Sequence, residues 1–73
     1  MKPSTIQIGK TYRNRGKGLT TRTVLDIGVH VVPPSWYSES SRPHDPGVRY
    51  LQEKKEHFLY LSSFAAWCGS EVT

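Results

Sequence analysis

The chain has 73 residues, enough for one small domain with a compact core and little space for a catalytic cleft backed by supporting residues. Its net charge of +4, from ten Lys and Arg against six Asp and Glu, favours an acidic partner such as nucleic acid or an acidic protein. Cys68 is the only cysteine, which excludes an intramolecular disulfide framework of the kind small secreted domains use.

The opening residues, MKPSTIQIG, carry one Lys and no apolar run of signal-peptide length, and no window reaches a membrane-spanning length. A cytoplasmic protein without a membrane partner is therefore expected. Residues 1–5 and 70–73 are polar and are expected to fray, the latter with a very short strand as the alternative, leaving one domain across 1–73. Ile6 and Ile8 share a face in a short strand, Gly9 marks a bend or bulge, and Tyr12 returns an aromatic ring to the core.

Arg13-Asn14-Arg15-Gly16-Lys17-Gly18 combines Asn with two glycines, residues that accept positive φ, and reads as a hairpin loop. Beyond it Leu25, Ile27, Val29 and Val31 alternate with Val24, Asp26, Gly28 and His30, after the β-branched Thr20, Thr21 and Thr23. Period two with this composition predicts a long strand with Leu25, Ile27 and Val29 on the core face. Pro33-Pro34 then ends pairing, because neither residue donates a ladder hydrogen bond. Residues 33–47 form a long Pro- and Ser-rich loop, of the sort that is either functional or disordered.

Val48 to Glu53 reads as a third strand and His57 to Ser62 as a fourth, joined by a charged turn at Lys54-Lys55-Glu56. Phe58 and Tyr60 share one face of the fourth strand while Leu59 and Leu61 share the other, so this strand is expected to be covered on both sides. Ser62-Ser63 before Phe64-Ala65-Ala66-Trp67-Cys68 reads as an N-cap and a short helix, with Phe64 and Trp67 facing the barrel and Gly69 ending it.

These elements predict a mainly β fold: a small SH3-like barrel of four to five antiparallel strands with one short C-terminal helical turn. The motifs I-x-I-G-K-x-Y at 6–12, R-T-V-L-x-I at 22–27 and SSFAAW at 62–67 resemble small uncharacterised proteins of bacteriophages and prophages. That resemblance spans most of the chain outside 33–47 and implies no activity or catalytic residue that carries over. A more distant similarity, to ribosomal and transcription-factor barrels that place a basic hairpin on RNA, is one of fold alone.

Two candidate sites follow. Lys10, Arg13, Asn14, Arg15, Lys17 and Arg22 cluster around the hairpin, where guanidinium and ammonium groups meet phosphate oxygens and Asn14 adds hydrogen bonds; Tyr12 between them is expected in the core rather than stacked on a base. Trp36, Tyr37, Arg42 and His44, beside Asp45, can instead line a groove that holds a protein or peptide, a Trp-Tyr pair beside prolines offering rigid contact area. The alternative for Trp36 is to fold back and cap the open end of the barrel.

No metal or cofactor is expected. His30, His44, His57 and Cys68 lack the paired spacing of a zinc site. Cys68 with His57 as a nucleophile and base is less expected than a buried Cys68, no pair of carboxylates has acid–base spacing, and Gly16-Lys17-Gly18 lies in a hairpin rather than a phosphate loop. The expected function is a noncatalytic accessory module that contacts nucleic acid through the basic hairpin. The alternatives are a protein- or peptide-binding module using 33–47, or a small assembly protein whose barrel edges pair two copies.

Overall fold

Five antiparallel strands, Thr11–Asn14 (β1), Thr21–Gly28 (β2), Gly47–Gln52 (β3), Lys55–Tyr60 (β4) and Cys68–Val72 (β5), form one open sheet in the order β4-β3-β2-β1-β5. A seven-residue helix, Leu61–Trp67 (α1), joins β4 to β5, and a 3-10 turn at Pro3–Thr5 precedes β1. This computed structural model describes residues 1–16, 19–37 and 44–72. Four strands in a meander, with the fifth returning beside the first, give the SH3-like arrangement expected from the strand pattern. Among the described residues no helix is long and apolar enough to cross a membrane.

The core lies on one face of this curved sheet. Tyr12, Val24, Val48 and Tyr50 project into it from the strands, and Phe64, Ala65 and Cys68 close it from α1 and the start of β5. Phe64 touches both Tyr12 (ring centroids 6.0 Å apart, planes at 87°) and Tyr50 (5.3 Å). Tyr12 is fully buried, as expected, and its hydroxyl is satisfied: it accepts a bond from the Gln7 N–H at 2.8 Å and donates to the Thr5 carbonyl at 3.4 Å. These bonds order the segment before β1. Ile6 is buried, but residues 6–8 form no strand and Ile8 is exposed.

Several expectations are corrected by register. In β2, Val24 pairs with Tyr50 and Asp26 with Arg49, so Leu25 is the extra residue of a bulge. The bulge resets the alternation: Ile27 faces the core as expected, but Val24 takes the place of Leu25, which is half-buried, and the strand stops at Gly28, leaving Val29 outside it and exposed. In β5 the register with β1 shifts so that Gly69 is the extra residue, and a Cβ there would lie 2.9 Å from the Asn14 carbonyl oxygen. Gly69 therefore permits a close crossing of β1 rather than ending the helix. Residues 70–72 pair with β1, the short-strand alternative for this end, and residues 3–5 form the 3-10 turn.

The N-terminus of α1 is capped from elsewhere in the chain. Leu61 N–H donates to the Pro46 carbonyl at 2.8 Å, and Asp45 accepts from the Ser62 hydroxyl at 2.6 Å and the Ser62 N–H at 3.4 Å. Ser62 and Ser63 lie inside the helix, and Tyr60 occupies the cap position without a side-chain cap. A tertiary carboxylate thus replaces the local cap expected at Ser62-Ser63.

The β3–β4 turn falls at Glu53-Lys54 rather than at Lys54-Lys55-Glu56. Both residues have positive φ, 53° and 66°, which is the pattern of a two-residue type I′ hairpin. Left-handed backbone costs a non-glycine residue about 1–2 kcal/mol, and glycine gives back about 0.5–1 kcal/mol in chain entropy. Lys54→Gly is therefore expected to raise the thermal midpoint by about 4 °C, read by circular dichroism. A lowered midpoint would mean the turn carries no such strain.

Candidate interaction groove

Residues paired across an antiparallel ladder share a face, so Gly47, Arg49 and Leu51 of β3 project to the same outer side as Tyr60, Phe58 and Glu56 of β4. Phe58 and Tyr60 are buried although they point away from the main core, because residues 29–37 cross over them. The two-sided burial expected for β4 is thus supplied by the long loop.

Contacts at three places fix this crossing. At its root, Val31 N–H donates to the Gly28 carbonyl at 3.1 Å, and His30 Nε2 lies 2.8 Å from Asp26 Oδ2. Next, the Val31 carbonyl oxygen packs directly on Gly47, where any Cβ would collide with it and come within 2.6 Å of the Phe58 ring. Finally, a turn closed by Tyr37 N–H to the Pro34 carbonyl (3.0 Å) drives the Tyr37 ring edge-on against Phe58 (5.0 Å, 81°) and Tyr60 (6.1 Å, 71°).

Trp36 is left outside. Its side chain is 70% exposed and touches Tyr37 edge-on at 6.4 Å. It does not fold back over the end of the sheet. Beside it lies a groove of about 400 Å³, with residues 31–34 and Trp36 on the loop side and Arg49, Glu56, His57 and Phe58 on the sheet side. Val32 is also largely exposed, so the loop side is apolar and solvent-facing.

The charged groups at this face are already engaged. Arg49 Nη1 lies 3.0 Å from Glu56 Oε1. Asp26 Oδ1 accepts the Ile27 N–H at 2.9 Å, and the His30 hydrogen bond is the main reason its carboxyl sits below the ordinary carboxylate value. Of the loop residues singled out from sequence, His44 is exposed and Tyr37 is an anchor rather than a contact surface, while Arg42 lies outside the described residues. Val31, Val32, Arg49 and Phe58 were not foreseen as groove residues. Only the two-sided apolar pattern of β4 signalled that something must cover it.

The basic hairpin does not form a single tip. Arg22 pairs with Tyr12 and therefore points to the core side, where its guanidinium lies 4.8 Å from the Tyr50 ring centroid and 4.1 Å from that of Trp67. Its Nε donates to Gln52 Oε1 at 2.7 Å, and burial pulls the group below its ordinary pKa. Arg15 is tied to the helix end: its N–H donates to the Trp67 carbonyl at 3.2 Å and its Nε to the Cys68 carbonyl at 3.4 Å. Asn14 has a buried Oδ1 with no partner among the described residues. Lys10 and Arg13 are exposed, Arg13 lying opposite Thr21 and Ser70, and Lys17 lies outside the described residues.

Cys68 is fully buried, and burial pushes its thiol up to about 11, so it is protonated and sheltered at neutral pH. The His57 ring stacks on Tyr50 instead (5.6 Å, 23°). Among the described residues no three His, Cys, Asp or Glu side chains converge as metal ligands. Comparison of the chain with protein-family models, with curated proteins and with solved structures found no match in any of the three.

Proposed function

We propose that the chain is a noncatalytic protein-interaction module, of the phage or prophage kind its motifs resemble, acting in the cytoplasm. A segment of a partner protein seats an apolar side chain in the groove between Trp36 and Phe58. The observation that carries this reading is the exposure of Trp36 directly beside Tyr37. The fold uses Tyr37 as its anchor and leaves the larger ring in water, which costs solubility and offers contact area. Trp is the residue type most enriched where binding energy concentrates, and the chain's net charge of +4 favours acidic residues around the partner's anchor.

Selection from a random-peptide display library tests this. Sequences recovered on the full chain are expected to share an apolar anchor flanked by Asp or Glu, and to lose at least ~tenfold in affinity on Trp36→Ala. Recovery of no common pattern, or equal affinity for the variant, overturns it. A second reading has nucleic acid contacting the exposed Lys10 and Arg13, which the net charge also favours. In the same assay a mixed oligonucleotide that binds at low salt and weakens on Arg13→Ala, but not on Trp36→Ala, would select that reading instead.

A further inference from the structure

β4 is an edge of the sheet, paired among the described residues only with β3. The two-residue turn at Glu53-Lys54 makes Gln52 and Lys55 a hydrogen-bonded pair, and the alternation then assigns Tyr50–His57 and Val48–Leu59 to the same class. The Leu61 N–H to Pro46 carbonyl bond continues this spacing past the end of the strand. The N–H and C=O groups of Glu56 and Phe58 therefore point away from β3. Among the described residues they bond to nothing.

This edge carries few of the devices that usually block strand addition. The register with β3 runs without a bulge from Gly47↔Tyr60 to Gln52↔Lys55, β4 contains no proline, and its charged residues sit at the turn end. The groove also reaches the edge itself. Glu56 and Phe58 belong to the outer face and His57 to the opposite one, yet all three line the cavity, so it follows the margin of β4 rather than stopping on one face.

We propose that the partner's segment, in the groove reading above on which this rests, binds extended as a sixth strand on the β4 edge. Its main chain pairs with Glu56 and Phe58, and alternate side chains enter the groove against Trp36 and Phe58. Charge selects the flanks of this segment. Glu56 is paired with Arg49 and Asp26 with His30, whereas Lys54 and Lys55 outnumber Glu53 at the turn end of β4. The segment is acidic beside that turn.

The test uses the full chain and the blocked peptide Glu-Val-Glu-Phe-Glu-Val-Glu, with two N-methylated versions: one methylated on the Val and Phe amides, the other on the interior Glu amides. A strand presents only every second N–H to its neighbour, so one version is expected to lose at least ~tenfold in affinity while the other stays within about threefold. The Phe58 amide should also exchange more slowly with peptide bound. Equal binding of all three peptides, or no binding at about 1 mM, overturns strand addition. If binding ignores methylation yet falls on Trp36→Ala, the groove reading stands without the strand; if it ignores both changes, both readings fall. A concentration-dependent dimer of the free chain with Phe58 already protected assigns the edge to a second copy and also overturns the proposal.

Discussion

Tyr37→Ala is expected to lower the thermal midpoint by about 10 °C, whereas Trp36→Ala, one residue earlier, should move it by about 2 °C or less. Truncating a fully buried aromatic costs about 3–5 kcal/mol, and Tyr37 is half-buried, so about 2 kcal/mol is expected, or roughly 10 °C in a domain of this size. The loss falls on the edge-on contacts with Phe58 and Tyr60, which are worth about 0.5–1.5 kcal/mol each beyond their area, and it uncovers the outer face of β4. Trp36 has one ring contact and is mostly in water, so its removal stays near the ~0.5 kcal/mol of an ordinary surface change. Calorimetry on both variants decides the matter. Equal losses would make Trp36 part of the packing and remove the reason to read it as a binding residue.

The division of labour within this pair was not legible in the sequence. Trp and Tyr beside two prolines announce a contact surface, but which ring turns inward depends on the turn closed by Tyr37 N–H on the Pro34 carbonyl. Local pattern succeeded where local forces decide. The Thr- and Val-rich run of β2 and the buried Tyr12 both follow from propensity and alternation. It failed where a distant segment decides. The bulge at Leu25 keeps Ile27 on the core face, as alternation predicts, but puts Val24 there in place of Leu25, because β3 sets the register. The β3–β4 turn was misplaced because Glu53 and Lys54 adopt left-handed backbone without the Asn or Gly that marks such turns. Asp45 caps α1 from 17 residues away, a spacing that no local capping signature contains.

The same limit governs Arg22, the basic residue whose role the structure changes most. Counted along the chain it belongs to the hairpin charges. Paired with Tyr12, it becomes a planar cation between Tyr50 and Trp67 that links β2, β3 and α1. Each such contact is worth about 0.5–2 kcal/mol depending on desolvation, and the bond to Gln52 adds about 1 kcal/mol. Arg22→Ala is therefore expected to cost about 2 kcal/mol and lower the midpoint by about 10 °C. Arg22→Lys should fall between, since an ammonium keeps the charge but not the flat fork that stacks on both rings. Arg22→Met refills the gap without charge and should recover part of the loss through packing alone. Oligonucleotide titration of the folded Arg22→Met variant separates the two roles, because its rings remain supported while its cation is gone. If Arg22→Ala leaves the midpoint unchanged and Arg22→Met abolishes oligonucleotide binding, Arg22 is a ligand cation rather than a strut. A lowered midpoint, with Arg22→Met costing no more affinity than one phosphate contact does, fixes it as structural and confines any anion-binding surface to the exposed cations around β1.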